Sequence, residues 1–493
     1  GEWDRDFEID MLDYFKGQTA SVEIIRGRLD VTGPLTMTLL KEQTGLDETL
    51  IKSALEALEG EGYVLRGHFS SSSFQDANGP EKTSGELEWC ERRLLARIHR
   101  LTIKGLRALI QPVSPHDYIK FLLRWQGVDR ASKPDGVNAV LQVVQQLEGL
   151  EISASAWEAD IFPNRIQNYG PGLIDELCLY GQVLWSRLSG ASKEDVSNFA
   201  MNRAVPVSFI LREDLEWIVG ETEKRDYQFS PHAQDVYDIL KEKGAMFIED
   251  IRSTSDILPS QVEDGLSQLA AAGMINADGF DAIRTLVDPT RKKQDKSKRR
   301  RQRAKHIAYK RGGRWSVFPP FEIEIESKQY LTDWAWQLMD RYGVVFRDLL
   351  SKEQNAPPWY QLIRIYRRLE ARGEIRGGRF ISSVGGEQFA LPDMIEKLRG
   401  CRDDKARNFV FISATDPCNL IGVISKDIRV PASSKNNLCI KNGRLAATKV
   451  GDEINYYIEL SIEEKDYIRR HLTMNALARQ RQNDLQVEIP GLH

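Results

Sequence analysis

Apolar positions fall into a phrase that this chain repeats. "LEGEGYVLRGHF" from Leu58, "LAAAGMINADGF" from Leu269 and "LEARGEIRGGRF" from Leu369 share one spacing. An apolar residue is followed by Gly four on, an aliphatic residue two further, and Phe five after that. Ahead of Leu58, Thr36 or Thr38 is placed to cap a short helix, Gly45-Leu46 to turn, and Asp47 to cap a second helix. That helix sets Leu50, Ala54, Leu55 and Leu58 on one face. Gly62 then ends it, and "YVLRGHF" reads as a strand turning at Gly67. The order returns at 230–280, where Pro231 opens a helix and Val262, Leu266 and Leu269 face inward, and at 329–381, with Leu362, Tyr366 and Leu369 inside. Helix, turn, helix and hairpin in that order predict winged helices.

The phrase therefore describes a scaffold, and function must sit at positions that do not repeat. In the third copy Arg364, Arg367, Arg368, Arg372, Arg376 and Arg379 make the second helix and wing positive. From Ser260 to Phe280 there is no Lys or Arg, so that copy is expected to be structural or to pack on a neighbour. At 86–222 the opening "LEWCERRLLARIHRLTIKGLR" places Arg93, Arg97, Arg100, Lys104 and Arg107 in one stripe along a helix, able to follow a phosphate backbone or simply to face water.

Charge sharpens this picture. The 493 residues carry a net charge of -4, yet 291–314 hold thirteen Lys/Arg against one Asp, leaving the rest acidic. Lys292, Lys293, Arg299, Arg300 and Arg301 belong to this run, which is suited to gripping phosphates or to serving as a solvated linker. Five scattered cysteines without a C-x-x-C pair fit reduced thiols in a cytoplasm, and seven isolated histidines argue against a metal site. There is no apolar run long enough to span a membrane, and the Gly1 start suggests a fragment of something larger. No phosphate-binding G-x-x-x-x-G-K-[ST] loop is present, so ATP hydrolysis is not expected of this chain. From 143 to 188, Gln146, Glu148, Glu151, Trp157, Glu158, Asp160 and Arg165 are set among apolar residues, a pattern fitting either a cleft wall or a capped helix end beside an ordinary core.

Longer phrases carry a resemblance. "WCERRLLARIHR", "PVSPHDYIKFLLRWQ", "AWEADIFPNRI", "RYGVVFRDLL" and "SATDPCNLIGVI", in this order, resemble the C-terminal region of bacterial large helicase-related proteins. The resemblance implies an α+β, mainly α fold of tandem winged helices followed by a small C-terminal β-barrel. The expected divisions are winged helices at 1–85, 223–290 and 328–400, a helical or winged-helix region with a candidate active site at 86–222, and a basic linker at 291–327. A barrel at 401–460 and a tail at 461–493 complete the series. The region is similar in turn to AlkZ-type DNA glycosylases, whose Gln-apolar-Gln/Asp signature corresponds to Gln146-Leu147-Glu148 here. Tyr169 and Ile174-Asp175-Glu176 lie at matching distances, while Glu148 departs from the family's residue.

What this resemblance implies is monofunctional base excision from DNA, with uracil as a target and no metal or organic cofactor. Gln146 would orient the water or sugar, and Glu148 would stabilise an oxocarbenium-like sugar and activate water. It further implies single-stranded or damaged DNA as partner, a homo-oligomer such as a tetramer, a separate helicase motor, and a bacterial, nucleoid-associated location. Two other readings stay open: a non-catalytic DNA-binding and oligomerisation module serving that motor, and a winged-helix regulator.

Overall fold

The computed structural model describes residues 19–69, 86–108, 110–130, 132–190, 199–219, 227–287, 313–318, 328–403, 408–425 and 428–480. The chain divides into two compact units, Gly1–Leu109 and Ile110–His493. It is mainly helical, and its sheets are small. Among the described residues no helix is long and apolar enough to cross a membrane.

The first unit is a winged helix. Thr36 caps helix Met37–Thr44 by accepting from the Leu39 N–H, and Gly45 closes it in the left-handed region. Helix Glu48–Gly60 buries Ile51, Ala54, Leu55 and Leu58, so Ile51 takes the core place expected of the half-buried Leu50. Its three antiparallel strands are ordered Leu35–Thr36, Glu88–Glu91, Val64–Gly67. The expected boundary at 85 falls before the central strand of this sheet, Glu88–Glu91, which pairs with both of the others. Helix Arg92–Ala108 follows and holds the predicted basic stripe.

The second unit holds three more winged helices. Their sheets are Ile152–Ser153 with Val183–Ser186 and Pro206–Leu211; Met246–Phe247 with Ile275–Ala277 and Arg314–Val317; and Val344–Phe346 with Arg376–Gly378 and Gln388–Ala390. The first of these contains a fourth, worn copy of the phrase, in which Leu177, Gly181 and Val183 keep the spacing and Leu188 replaces Phe. All four glycines (Gly62, Gly181, Gly273, Gly373) have φ between 68° and 80°. In each copy the glycine N–H bonds three residues back and the next N–H bonds to the leading apolar residue, as from Gly373 to Glu370 and from Glu374 to Leu369. This double cap satisfies the carbonyls left over at the helix end and demands a residue at ease with positive φ. Gly373→Ala, with open space around the new methyl, should cost about 1–2 kcal/mol from left-handed strain alone. Gly273→Ala should cost more, because its Cβ would run into the Arg187 backbone carbonyl. Urea midpoints of the two variants check that order.

Helix Pro259–Ala272, in the place of a recognition helix, buries eight of its fourteen residues. It packs on the preceding module, where Ser267 Oγ accepts from the Met201 N–H and the Ala271 carbonyl accepts from Arg187. A helix so covered has little surface left for a groove, as its lack of Lys and Arg suggested. One core, including Trp157, Trp185, Phe209, Phe280 and Trp315, runs through both modules. A second core joins the last winged helix to helix Pro115–Trp125, helix Pro392–Asp403 and one face of the C-terminal sheet. The strand Arg314–Val317 lies within the expected linker 291–327 and pairs with Ile275–Ala277. The basic run is therefore flanked by two strands of one sheet, while Lys292, Lys293, Arg299, Arg300 and Arg301 lie outside the described residues.

The expected barrel is corrected by the structure. Strands Phe409–Ser413, Asn437–Lys441, Arg444–Val450 and Glu453–Tyr456 form an open antiparallel meander in chain order, and no described sheet closes on itself. Closure is unnecessary because both faces are already covered. Ile412, Leu438, Ile440 and Leu445 enter the large core. Phe411, Cys439, Ala446 and Ala447 meet Ile468 and Leu472 of helix Ile462–Leu472. Part of the expected tail thus does the work that barrel closure would have done.

Candidate functional site

Helix Gly136–Leu147 buries Ala139, Val140, Val143, Val144 and Leu147, which turns Gln142, Gln145 and Gln146 toward its opposite side. Its last carbonyls have no partners within the helix. Side chains from helix Lys328–Tyr342 supply them: Gln337 Nε2 donates to the carbonyls of Gln145 and Gln146 at 3.0 and 3.1 Å. The fully buried Arg341 donates to the carbonyls of Gln146 and Glu148, and its charge is met by the equally buried Glu353. A cation at a helix C-terminus also suits the helix dipole. The reciprocal bond, from Gln146 Nε2 to the Asp340 carbonyl at 3.2 Å, fixes the Gln146 amide.

Gln146 lines a cavity of about 330 Å³ together with Gln126, Arg130, Gln142, Gln145, Arg165 and Asp340. The Asp340 side chain is exposed there, and partial burial raises its pKa above the ordinary carboxylate value. Its carboxylate accepts no hydrogen bond among the described residues. Sequence reasoning passed over Asp340. The available signal was an acid in the last helical turn of "WQLMDRYG", where the dipole disfavours negative charge.

Glu148 does not line this cavity. Its carboxyl is buried, accepts from the Leu211 N–H at 3.1 Å and shares a hydrogen bond with Asp214. Burial first, and the Asp214 charge second, push its pKa up to about 8, so near neutrality Glu148 is chiefly the neutral acid. A carboxyl with a raised folded pKa stabilises the fold fully below its ordinary pKa near 4.5, and that contribution is lost as pH rises toward 8. Glu148→Gln, neutral at every pH, should therefore gain on wild type between about pH 5 and about pH 8, by on the order of a few kcal/mol. Urea midpoints at the two pH values measure it.

Tyr169 and Asp175 are gathered elsewhere. The buried Arg284 donates through Nε and Nη2 to Glu158 at 2.7 Å and through Nη1 to Asp175 at 2.6 Å, while Tyr169 donates to Glu158 at 3.1 Å. Glu158 is delivered by a π-helical turn, Trp157–Ile161, just ahead of Pro163, which offers no N–H to continue a regular α-helix. These charges are paired and pin the second and third winged helices together. Arg284 itself was readable only as a lone cation within the short, largely apolar helix Asp281–Val287. Arg165 is spent on Asp416, at 2.8 and 2.9 Å, and on Gln126 at 2.8 Å.

Of the basic candidates, Arg93, Arg97, Arg100 and Lys104 are exposed along helix Arg92–Ala108, with Arg107 half-buried. Arg364, Arg368 and Arg379 are exposed in the last winged helix, and Arg376 is half-buried. Arg367 pairs with Glu387 and Arg372 with Glu374, while Glu370 accepts from the Gly377 N–H.

Two family models match this chain: the third and fourth winged-helix domains of the large helicase-related protein, at residues 113–203 and 324–409. The chain belongs to the large helicase-related family. The matched spans cover the Gln146 helix and the Arg341 helix, which brings Asp340 to the cavity, and place the chain in the family's C-terminal region. Across 410 residues it is 27% identical to the "Lhr helicase/ probable uracil glycosylase" of Mycolicibacterium smegmatis, covering 79% of this chain and 26% of that protein. Across 373 residues it is 26% identical to the "Lhr helicase/uracil glycosylase" of Escherichia coli K12, covering 68% of this chain and 23% of that protein. The chain thus spans about a quarter of the length of these large helicase-related relatives.

Proposed function

We propose that this chain binds DNA and removes a damaged base, uracil foremost, by hydrolysing the N-glycosidic bond. The supporting observation is that a held amide, Gln146, and an exposed carboxylate, Asp340, lie on one cavity with room for a flipped nucleoside. Uracil offers two carbonyl acceptors and one N–H, which the amides of Gln142, Gln145 and Gln146 can match. As the base departs with the electrons of the C1′–N bond, positive charge grows on the sugar. Asp340 opposes that charge and accepts a proton from the water whose oxygen bonds to C1′. The departing uracil anion takes up a proton from solvent and Asp340 returns its own to solvent, leaving an abasic site and free uracil. In this reading Asp340 takes the carboxylate role expected of Glu148, whose acid is buried, neutral and turned toward Leu211.

Binding rests on the exposed arginines of helix Arg92–Ala108 and of the last winged helix, with the basic run 291–314 adding affinity that falls as salt rises. Self-association into a homo-oligomer, action beside a helicase motor and a place at the nucleoid belong to the same proposal. The deciding assay incubates the purified chain with oligonucleotides carrying one uracil and reads abasic sites by alkaline cleavage. DNA binding without any abasic product would favour the non-catalytic module instead.

A further inference from the structure

A larger cavity, of about 700 Å³, lies between the Val128–Lys133 segment, residues 163–167, strand Phe409–Ser413 and the C-terminal helices. It shares Arg130 with the Gln146 cavity. Its wall is of two kinds. One part is an aromatic stack: Phe411 lies 5.1 Å from His471 with rings 21° apart, and Tyr467 lies 4.0 Å from His471 with its own ring exposed. Burial lowers the His471 pKa, so the imidazole presents a neutral ring. The other part is cationic and rich in donors. Arg130 and Lys133 line it, and the buried Arg479, engaged with the carbonyls of His471 and Met474, adds charge from behind; Asp129 is the one acid among the described residues of the wall.

Two donors in this wall are unspent. Asn164 is only 7% exposed, and its Nδ2 has no hydrogen-bond partner. A buried amide left this way is costly unless a ligand supplies an acceptor. The Lys133 ammonium has no hydrogen bond or ion pair among the described residues, and burial beside the charges of Arg165 and Arg479 brings its pKa down to about 8. An anion arriving at Lys133 would relieve that cost.

We propose that this cavity holds one nucleotide of a single DNA strand, with its phosphate at Lys133, Asn164 and Arg130 and its base stacked on Tyr467 and His471. The inference rests on the DNA-binding reading and adds a second site, apart from the Gln146 cavity, with the residues that would hold the strand there. An unpaired base can offer its face to an aromatic ring, whereas a base inside a duplex is already stacked on both sides. A simple anion would use the cations and the amide but leave the aromatic stack idle.

Fluorescence anisotropy of the full chain with a labelled short oligothymidylate, and with a hairpin duplex, tests this at several salt concentrations. Tyr467→Ala should weaken single-strand binding about tenfold or more and leave duplex binding unchanged. Lys133→Gln should lower the slope of log affinity against log salt by roughly 0.7. Thermal melts establish that both variants fold. Single-strand binding equal to wild type in both variants would overturn the inference while leaving DNA binding intact. Thymidine monophosphate competing as well as the oligonucleotide would overturn the claim of a strand. A wild-type chain that binds no DNA at low salt would remove the broader reading as well.

Discussion

Asp340→Asn is expected to lower base release from a uracil-containing oligonucleotide by about 100-fold or more, with DNA affinity nearly unchanged. The substitution keeps size and polarity but removes the negative charge. A charge aimed at a developing cation acts mainly in the transition state, so the loss should appear in the single-turnover rate and not in binding. Removing one preorganised electrostatic group commonly costs about 10² to 10³ in rate. Gln146→Ala should reduce the rate less, because its amide orients and carries no charge. The test is single-turnover release of uracil at saturating enzyme. If Asp340→Asn matches wild type and Glu148→Gln abolishes release, the carboxylate role returns to Glu148.

Arg341→Ala is expected to cost about 3–5 kcal/mol of stability, the largest effect of any single change considered for this fold. Arg341 and Glu353 are both almost entirely out of solvent, and the guanidinium also caps the helix that carries Gln146. Truncation would strand the Glu353 charge and free the Glu148 carbonyl, while the Gln146 carbonyl keeps its bond from Gln337. Tyr342, which donates to Glu353 at 2.7 Å, can offset only part of the loss. Urea unfolding measures the stability change. A double variant, Arg341→Met with Glu353→Leu, should recover much of it, since a buried ion pair is often replaceable by well-packed apolar groups. If the single variant unfolds at the wild-type midpoint, the capping role assigned to Arg341 is wrong.

The winged helices were legible because local rules make them. Leu58, Leu269 and Leu369 recur at a helix end, the following glycine takes positive φ, and the aliphatic residue two further begins a strand; each step depends on near neighbours in the chain. The fourth copy at Leu177 escaped notice because Leu188 stands where Phe was expected. The C-terminal strands were legible for the same local reason. Their closure was not, since whether a sheet curls on itself or is covered depends on what arrives from elsewhere, here helix Ile462–Leu472 and the core around Ile412 and Leu438.

The candidate site divides along the same line. A glutamine beside a carboxylate, Gln146-Leu147-Glu148, could be read from the sequence, but the direction of each side chain could not. The helix ends at Leu147, and the extended backbone at Glu148 turns its carboxyl toward Leu211 and away from the cavity that Gln146 lines. Asp340 reaches that cavity from almost two hundred residues further on, and Arg284 collects Glu158 and Asp175 from more than a hundred residues before it. The sequence by itself determined the repeated scaffold and the placement of its cations, because periodicity, capping and charge are properties of neighbouring residues. The tertiary structure alone decided which polar groups share a cavity and which are neutralised in the core. Burial and long-range pairing set the charge and direction of a side chain, and neither is defined until distant segments have packed.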